Sequence, residues 1–213
     1  MDNLARSDLG HLKHVITIDD IRTNLQRHPH KPAVFEPTAA QASVAMILAD
    51  GDNDLDVCFI RRAERDGDPW SGQVAFPGGR AGPADVTASG VAERETLEEI
   101  GLPLAASDLI GPLPVRPIQR QKLKVMSPFV YYVGAGAQTV ATVREHLEVA
   151  SVFWVPLHHL FDQRAATELE YPPGATATSF PGIQYGEHVI WGLTLRVLES
   201  FADIMQRSLA AEN

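Results

Sequence analysis

Apolar residues fall in short runs separated by turn residues through most of this chain. Positions 42–49 are apolar and strand-like. Asp50-Gly51-Asp52-Asn53 is a turn cluster, and 55–60 reads as a second strand, so the pair predicts a hairpin. A polar loop covers 61–71. A short strand over 73–76 is stopped by Pro77-Gly78-Gly79. Further strands are expected over 110–115 and 125–133, joined by a basic loop, and over 152–155, followed through Pro156 by a short helix near 156–162. Two short strands are expected within 167–190.

Three segments carry helical spacing. Thr17 and Asp20 stand at capping-box distance ahead of Ile21 and Leu25, which predicts a helix over 18–27. Pro29, Pro32 and Pro37 interrupt regular structure beyond it. A second helix is expected over about 86–100, with Val86, Ala92 and Leu97 turned to the core; Gly101 suits its left-handed cap and Pro103 prevents continuation. A last amphipathic helix over 191–209 places Trp191, Leu195, Leu198 and Phe201 or Ala202 on one stripe. Residues 1–35 read as an extension with a short helix, and 36–213 as the main domain. Strands mixed with well-separated helices argue a layered α/β sandwich. No internal repeat is visible.

The 213 residues suffice for one good core, and 45% hydrophobic with 21% charged residues is an ordinary globular balance. The net charge of −9 argues against a general nucleic-acid surface. The single cysteine, Cys58, rules out a disulfide within the chain and suits a reducing cytoplasm; its apolar surroundings read as core. No apolar run reaches the roughly 18 residues of a membrane span, and the first fifteen residues lack a signal-like apolar stretch. The histidines show no metal-ligand pattern.

The candidate chemistry lies in Gly78 to Leu102. Glu95, Glu98 and Glu99 stand at i, i+3 and i+4, which places three carboxylates on one helix face within about one turn. Like charges that close repel. A hard divalent cation such as Mg²⁺ relieves the repulsion and prefers carboxylate and phosphate oxygens. A solvated acidic face with ion pairs such as Arg94 to Glu98 is the plainer reading of the same residues. Asp85 opens the helix and is read as its N-cap.

Gly79, five residues, Asp85, then Arg94-Glu95-Thr96-Leu97-Glu98-Glu99-Ile100-Gly101-Leu102 resembles the Nudix box, G-x5-E-x7-R-E-U-x-E-E-x-G-U. The first acid is Asp rather than Glu, eight residues precede Arg94 instead of seven, and Thr96 takes an aliphatic position. The lead-in Gly72-Gln73-Val74-Ala75-Phe76-Pro77-Gly78-Gly79 and the later Trp191-Gly192-Leu193-Thr194 resemble the coenzyme A pyrophosphatase branch of that family. Where that branch has an R-x-H element, this chain has Asp68-Pro69-Trp70-Ser71.

The resemblance implies a Nudix-type α/β/α sandwich with a mixed sheet between helices, with the Nudix domain over 36–213. It implies a pyrophosphohydrolase that uses Mg²⁺ or Mn²⁺ and cleaves the phosphoanhydride of a nucleoside diphosphate joined to another group. Coenzyme A or an acyl-coenzyme A is the first substrate expected. ADP-ribose, dinucleoside polyphosphates and nucleoside triphosphates are alternatives, as is a nucleotide-binding module without turnover. Glu95, Glu98 and Glu99 are then the metal ligands, with the Gly79 carbonyl a further ligand or a plain turn. Arg94 steadies the carboxylates. The general base is a box glutamate or one on a later loop, where Glu148 and its neighbour Glu145 stand. Arg61, Arg62, Arg80, Arg116 and Arg120 are candidates for the substrate phosphates, and Lys122 and Lys124 extend that basic run. Trp70 either stacks on a base or plugs the loop against the core. A homodimer is common in the family.

Overall fold

The structure, a computed structural model, describes residues 15–31, 33–68, 70–120, 123–171 and 178–211, the side chains of 107, 119 and 120 excepted. Eight strands make one mixed sheet: β1 (Gln41–Asp50), β2 (Leu55–Arg62), β3 (Val74–Ala75), β4 (Gly78–Arg80), β5 (Leu109–Pro112), β6 (Arg116–Arg120), β7 (Leu123–Tyr132) and β8 (Val149–Pro156). β1 is central. It pairs antiparallel with β2 and β4, and runs parallel to β7 from Gln41↔Val125 to Leu48↔Tyr132. A second sheet stacks β9 (Ala166–Tyr171), β10 (Thr178–Tyr185) and β11 (His188–Trp191). The helices are α1 (Ile18–Arg27), α2 (Ala88–Ile100), α3 (Ala137–Val140) and α4 (Gly192–Met205).

The near-continuous apolar run of β1 follows from burial on both faces. Met46 and Leu48 join one cluster with Val57, Phe59, Leu195 and Phe201, against α1 and α4. Ala45, Ile47 and Ala49 join the other with Cys58, Ile60, Ala88, Ala92 and Ile100, against α2. A sheet between helix layers is the expected α/β/α arrangement. Cys58 is fully buried, and burial drives its thiol pKa well up, which leaves it an inert core thiol.

Several expectations are corrected. The basic loop expected between the fifth and seventh strands contains β6, held antiparallel to β7 by Arg116↔Met126 and Pro117↔Val125. Three strands, not two, occupy the stretch after residue 165. The short helix expected after β8 is present, as a 3₁₀ helix over Leu157–Phe161. The last helix is shorter than expected, because Trp191 ends β11 and Gln206 adopts the left-handed conformation (φ 53°). Val86 and Leu97 do not face the core: they are 85% and 51% exposed. The buried stripe of α2 is Ala88, Val91, Ala92, Thr96, Glu99 and Ile100, one register over, with the Thr96 hydroxyl satisfied on the Ala92 carbonyl at 2.7 Å. Thus the carboxylate of Glu99 occupies a core-facing position.

Helix α1 has the capping box that Thr17 and Asp20 predict, and docks Ile21 and Leu25 into the larger cluster beside β5 and α4. Residues 1–14, including the stretch read for a signal sequence, lie outside the described residues.

Candidate active site

The cleft is built around the start and the far end of α2. Thr87, not Asp85, is its N-cap, and its Oγ1 accepts the Gly90 amide at 3.0 Å. Asp85 sits two residues earlier and grips Arg94 instead: Nε to Oδ1 is 3.0 Å and one terminal nitrogen to Oδ2 is 3.0 Å. Asp85 also accepts the Gly82 amide at 2.7 Å, which fixes it in a turn ahead of the helix. These bonds, those from Arg94 first, hold the Asp85 carboxyl below the usual carboxylate range. At the other end Gly101 caps the helix with φ 68°, as expected.

Arg94 gathers the acids. Besides Asp85 it reaches Glu95 at 2.8 Å, Glu98 at 2.9 Å and the Arg80 carbonyl at 3.1 Å. Charge-assisted bonds of this kind orient carboxylates. Glu98 is the exposed member of the trio, whereas Glu95 is largely buried, and burial raises its pKa. Glu99 is only 2% exposed. One of its oxygens accepts the Gly78 amide at 2.9 Å. Burial pushes its pKa up to about 8, with the Glu95 charge adding to the effect.

The two glycines admit this arrangement. Gly78 has φ 147°, and a Cβ there would lie 2.3 Å from the Ser43 carbonyl oxygen; a Cβ on Gly79 would lie 2.4 Å from the Glu95 carboxyl carbon. Backbone and carboxylates are therefore in direct contact across the floor of the cleft.

The later loop is tied to the same helix. The Arg144 and Glu145 amides bond the Glu99 carbonyl at 2.9 and 3.3 Å, and the Thr142 amide bonds the Ile100 carbonyl at 2.9 Å. This brings Glu145 and Glu148 to the cleft wall. Glu148 lies 3.7 Å from Arg65, and its carbonyl accepts the Ala63 amide at 2.8 Å.

The cleft has a volume of about 1110 Å³, and Glu95, Glu98, Glu99, Glu145, Glu148 and Gly79 all line it. Arg62, Arg65 and Arg80 supply cations, and Leu123, Met126, Leu193 and Val197 an apolar wall. Trp70 also lines it and is partly buried. Two expected phosphate ligands are elsewhere. Arg61 bonds Glu64 at 2.7 Å and is not on the cleft wall. Arg116 turns to α4, where it bonds the Arg196 carbonyl and the Ser200 hydroxyl, because β6 presents it to that helix. The side chain of Arg120 and all of Lys122 lie outside the described residues. Arg65, Asp68 and the part of Asp85 were not read from sequence; a loop of mixed charge ahead of a glycine turn carries no spacing rule that singles them out.

The donors offered by α2 and the later loop are all oxygens, which fits a hard divalent cation. Among the described residues, no three His, Cys, Asp or Glu side chains already converge as a ready-made cage. Arg94 instead supplies positive charge to Glu95 and Glu98, and Glu99 has no cationic partner within hydrogen-bonding reach among the described contacts.

A NUDIX domain model matches residues 39–173, well over half of the chain. The chain belongs to the Nudix family. It is a hydrolase of pyrophosphate bonds, near the coenzyme A pyrophosphatase branch. This Nudix chain is 29% identical over 177 residues to human "Mitochondrial coenzyme A diphosphatase NUDT8", covering 82% of itself and 69% of that protein. The mouse protein of the same name is 30% identical over 165 residues, 76% of each chain. The "Uncharacterized Nudix hydrolase NudL" of Photorhabdus laumondii is 29% identical over 136 residues, covering 64% of this chain and 70% of that one. Among solved structures, a MutT/nudix family protein from Enterococcus faecalis superposes with a TM-score of 0.55 at 15% identity, over 90% of this Nudix chain and 70% of that one, a likeness of fold. No helix among the described residues is long and apolar enough to cross a membrane.

Proposed function

We propose that this Nudix hydrolase is a metal-dependent pyrophosphohydrolase that cleaves the phosphoanhydride of a nucleoside diphosphate joined to another group, with coenzyme A or an acyl-coenzyme A as first substrate. The observation that carries the reading is Glu99: a carboxylate at a core position, one oxygen on the Gly78 amide, beside Glu95 and Glu98 on the same cleft. A fold keeps a buried acid at a cost, either holding its proton or charged, and a cation is the simplest compensation for the charged form. Glu95, Glu98, Glu99 and the Gly79 carbonyl would hold Mg²⁺ or Mn²⁺, which when bound neutralises phosphate charge and acidifies water.

The chain's own residues do the remainder. Arg94 orients Glu95 and Glu98 from behind. Arg62 and Arg80 face the phosphates with separate positive charges. Glu148 takes the proton of the attacking water, and Arg65, 3.7 Å away, directs its carboxylate into the cleft. Glu145 is the neighbouring alternative for that proton. A cleft with both a charged side and an apolar wall suits a substrate that is part diphosphate and part apolar arm, and the names of the mammalian relatives point the same way. We place the activity in the cytoplasm, in keeping with a lone, buried thiol, and a homodimer is the assembly expected.

The test is a screen of the purified chain with Mg²⁺, Mn²⁺ or EDTA against coenzyme A, ADP-ribose, NADH, diadenosine polyphosphates and nucleoside triphosphates, with product identification. Coenzyme A cleaved to adenosine 3′,5′-bisphosphate and phosphopantetheine, and only with metal, is the expected result. Turnover undiminished in EDTA refutes the metal role, and preference for another substrate by tenfold or more reassigns the class.

A further inference from the structure

Among the described residues of the loop between β2 and β3, one carboxylate gathers several hydrogen bonds. Asp68 Oδ2 accepts a terminal nitrogen of Arg62 at 2.8 Å, while Oδ1 accepts the Trp70 amide at 2.9 Å. Its backbone amide donates to the Arg65 carbonyl at 3.2 Å, and the Arg65 amide donates to the Ser71 hydroxyl at 2.8 Å. The Arg62 amide closes the base of the loop on the Gln73 carbonyl at 2.9 Å. The Asp68 and Arg62 side chains are 16% and 24% exposed, so their ion pair is shielded and geometrically fixed, unlike the open Arg61–Glu64 pair next to it.

Arg62 and Trp70, the two groups on which Asp68 acts, both line the cleft. Arg62 offers charge to a diphosphate. Trp70 is the one aromatic residue that this loop brings to the cleft, and it is partly exposed there. One side chain thus sets the spacing between a phosphate-binding cation and an aromatic surface.

We propose that Trp70 is the stacking surface for the nucleobase of the substrate, and that Asp68 is the positioning residue that fixes Trp70 and Arg62 relative to each other. The inference rests on the reading that a nucleoside diphosphate occupies the cleft. It assigns base binding to Asp68 and Trp70, which stand where the related branch carries a different element.

The experiment uses the full chain and two readouts. In EDTA, ADP is titrated while tryptophan fluorescence is followed. With metal, kcat and KM are measured on the best nucleoside diphosphate substrate. Wild-type fluorescence is quenched by ADP. Trp70→Leu loses the quench and raises KM about tenfold with kcat within twofold, and Trp70→Tyr restores KM to within about threefold, since stacking tolerates any aromatic ring. Asp68→Ala reproduces the KM rise, and the double variant is no more than about twofold worse than the poorer single, because both act through one contact. Trp70→Leu with KM and ADP affinity within twofold of wild type overturns the proposal. So does an Asp68→Ala variant that melts earlier but binds ADP normally. ADP binding through Trp70 without hydrolysis of any diphosphate would sink the catalytic reading and spare this one; brisk hydrolysis indifferent to both residues would do the reverse.

Discussion

Glu99 makes stability and chemistry separable by pH. In the metal-free protein its pKa lies at about 8, against an ordinary 4.5. Between these values the folded chain keeps a proton that the unfolded chain has released. The unfolding free energy therefore falls by about 1.4 kcal/mol for each pH unit across that window. The full contribution, on the order of 5 kcal/mol, is present below pH 4.5 and gone once the pH has risen through about 8. Glutamine is neutral throughout and still offers an oxygen to the Gly78 amide. Glu99→Gln should accordingly match wild type near pH 5 and become more stable by several kcal/mol at pH 8 to 9. Urea denaturation in EDTA at pH 5, 6, 7, 8 and 9 measures this difference directly. Mg²⁺ should then rescue the wild type at pH 8 and leave the variant unmoved. A difference that stays level from pH 5 to 9, or a wild type that is the more stable at pH 9, would show that Glu99 is not a strained acid.

Other outcomes rest on the same geometry. With Mg²⁺ present, Glu99→Gln should lower kcat by about a thousandfold or more, and a rate within tenfold of wild type removes it from the metal set. Arg94→Ala should weaken Mg²⁺ activation about 10- to 100-fold by freeing Glu95 and Glu98, read from the Mg²⁺ concentration that gives half-maximal rate; an unchanged value denies the orienting role. Gly79→Ala places a methyl 2.4 Å from the Glu95 carboxyl carbon and should cost at least tenfold in activity with little loss of thermal stability. Ile21→Ala should lower stability by about 2–5 kcal/mol, as Ile21 is fully buried, which denaturant titration will report.

The architecture was legible wherever a local rule governs it. Thr17 with Asp20 announced α1, and Gly101 with Pro103 announced the end of α2, because caps are written in a few adjacent residues. β6 was hidden because Arg116 to Arg120 look like a charged loop, and only pairing with β7 reveals a strand. The core face of α2 was misread for a related reason. Val86 and Leu97 are more apolar than Thr96 and Glu99, yet the latter are inside, with the Thr96 hydroxyl on the Ala92 carbonyl and the Glu99 carboxylate on the Gly78 amide. Spacing put the three glutamates on one helix face, where all of them line the cleft, but did not mark Asp85 as the anchor of Arg94, since the inserted residue disguised its distance. Arg61 and Arg62 are neighbours with opposite fates, at a point where the pairing of β2 with β8 shifts register.

Glu99 faces two directions at once, with its side chain toward the cleft and its carbonyl toward the Arg144 and Glu145 amides. On the proposed mechanism, the reach of Glu148 over the cleft floor therefore depends on how many main-chain residues separate it from those amides. Swapping residues on the helix leaves that distance as it was, whereas adding or deleting a single residue between positions 142 and 148 would retune it.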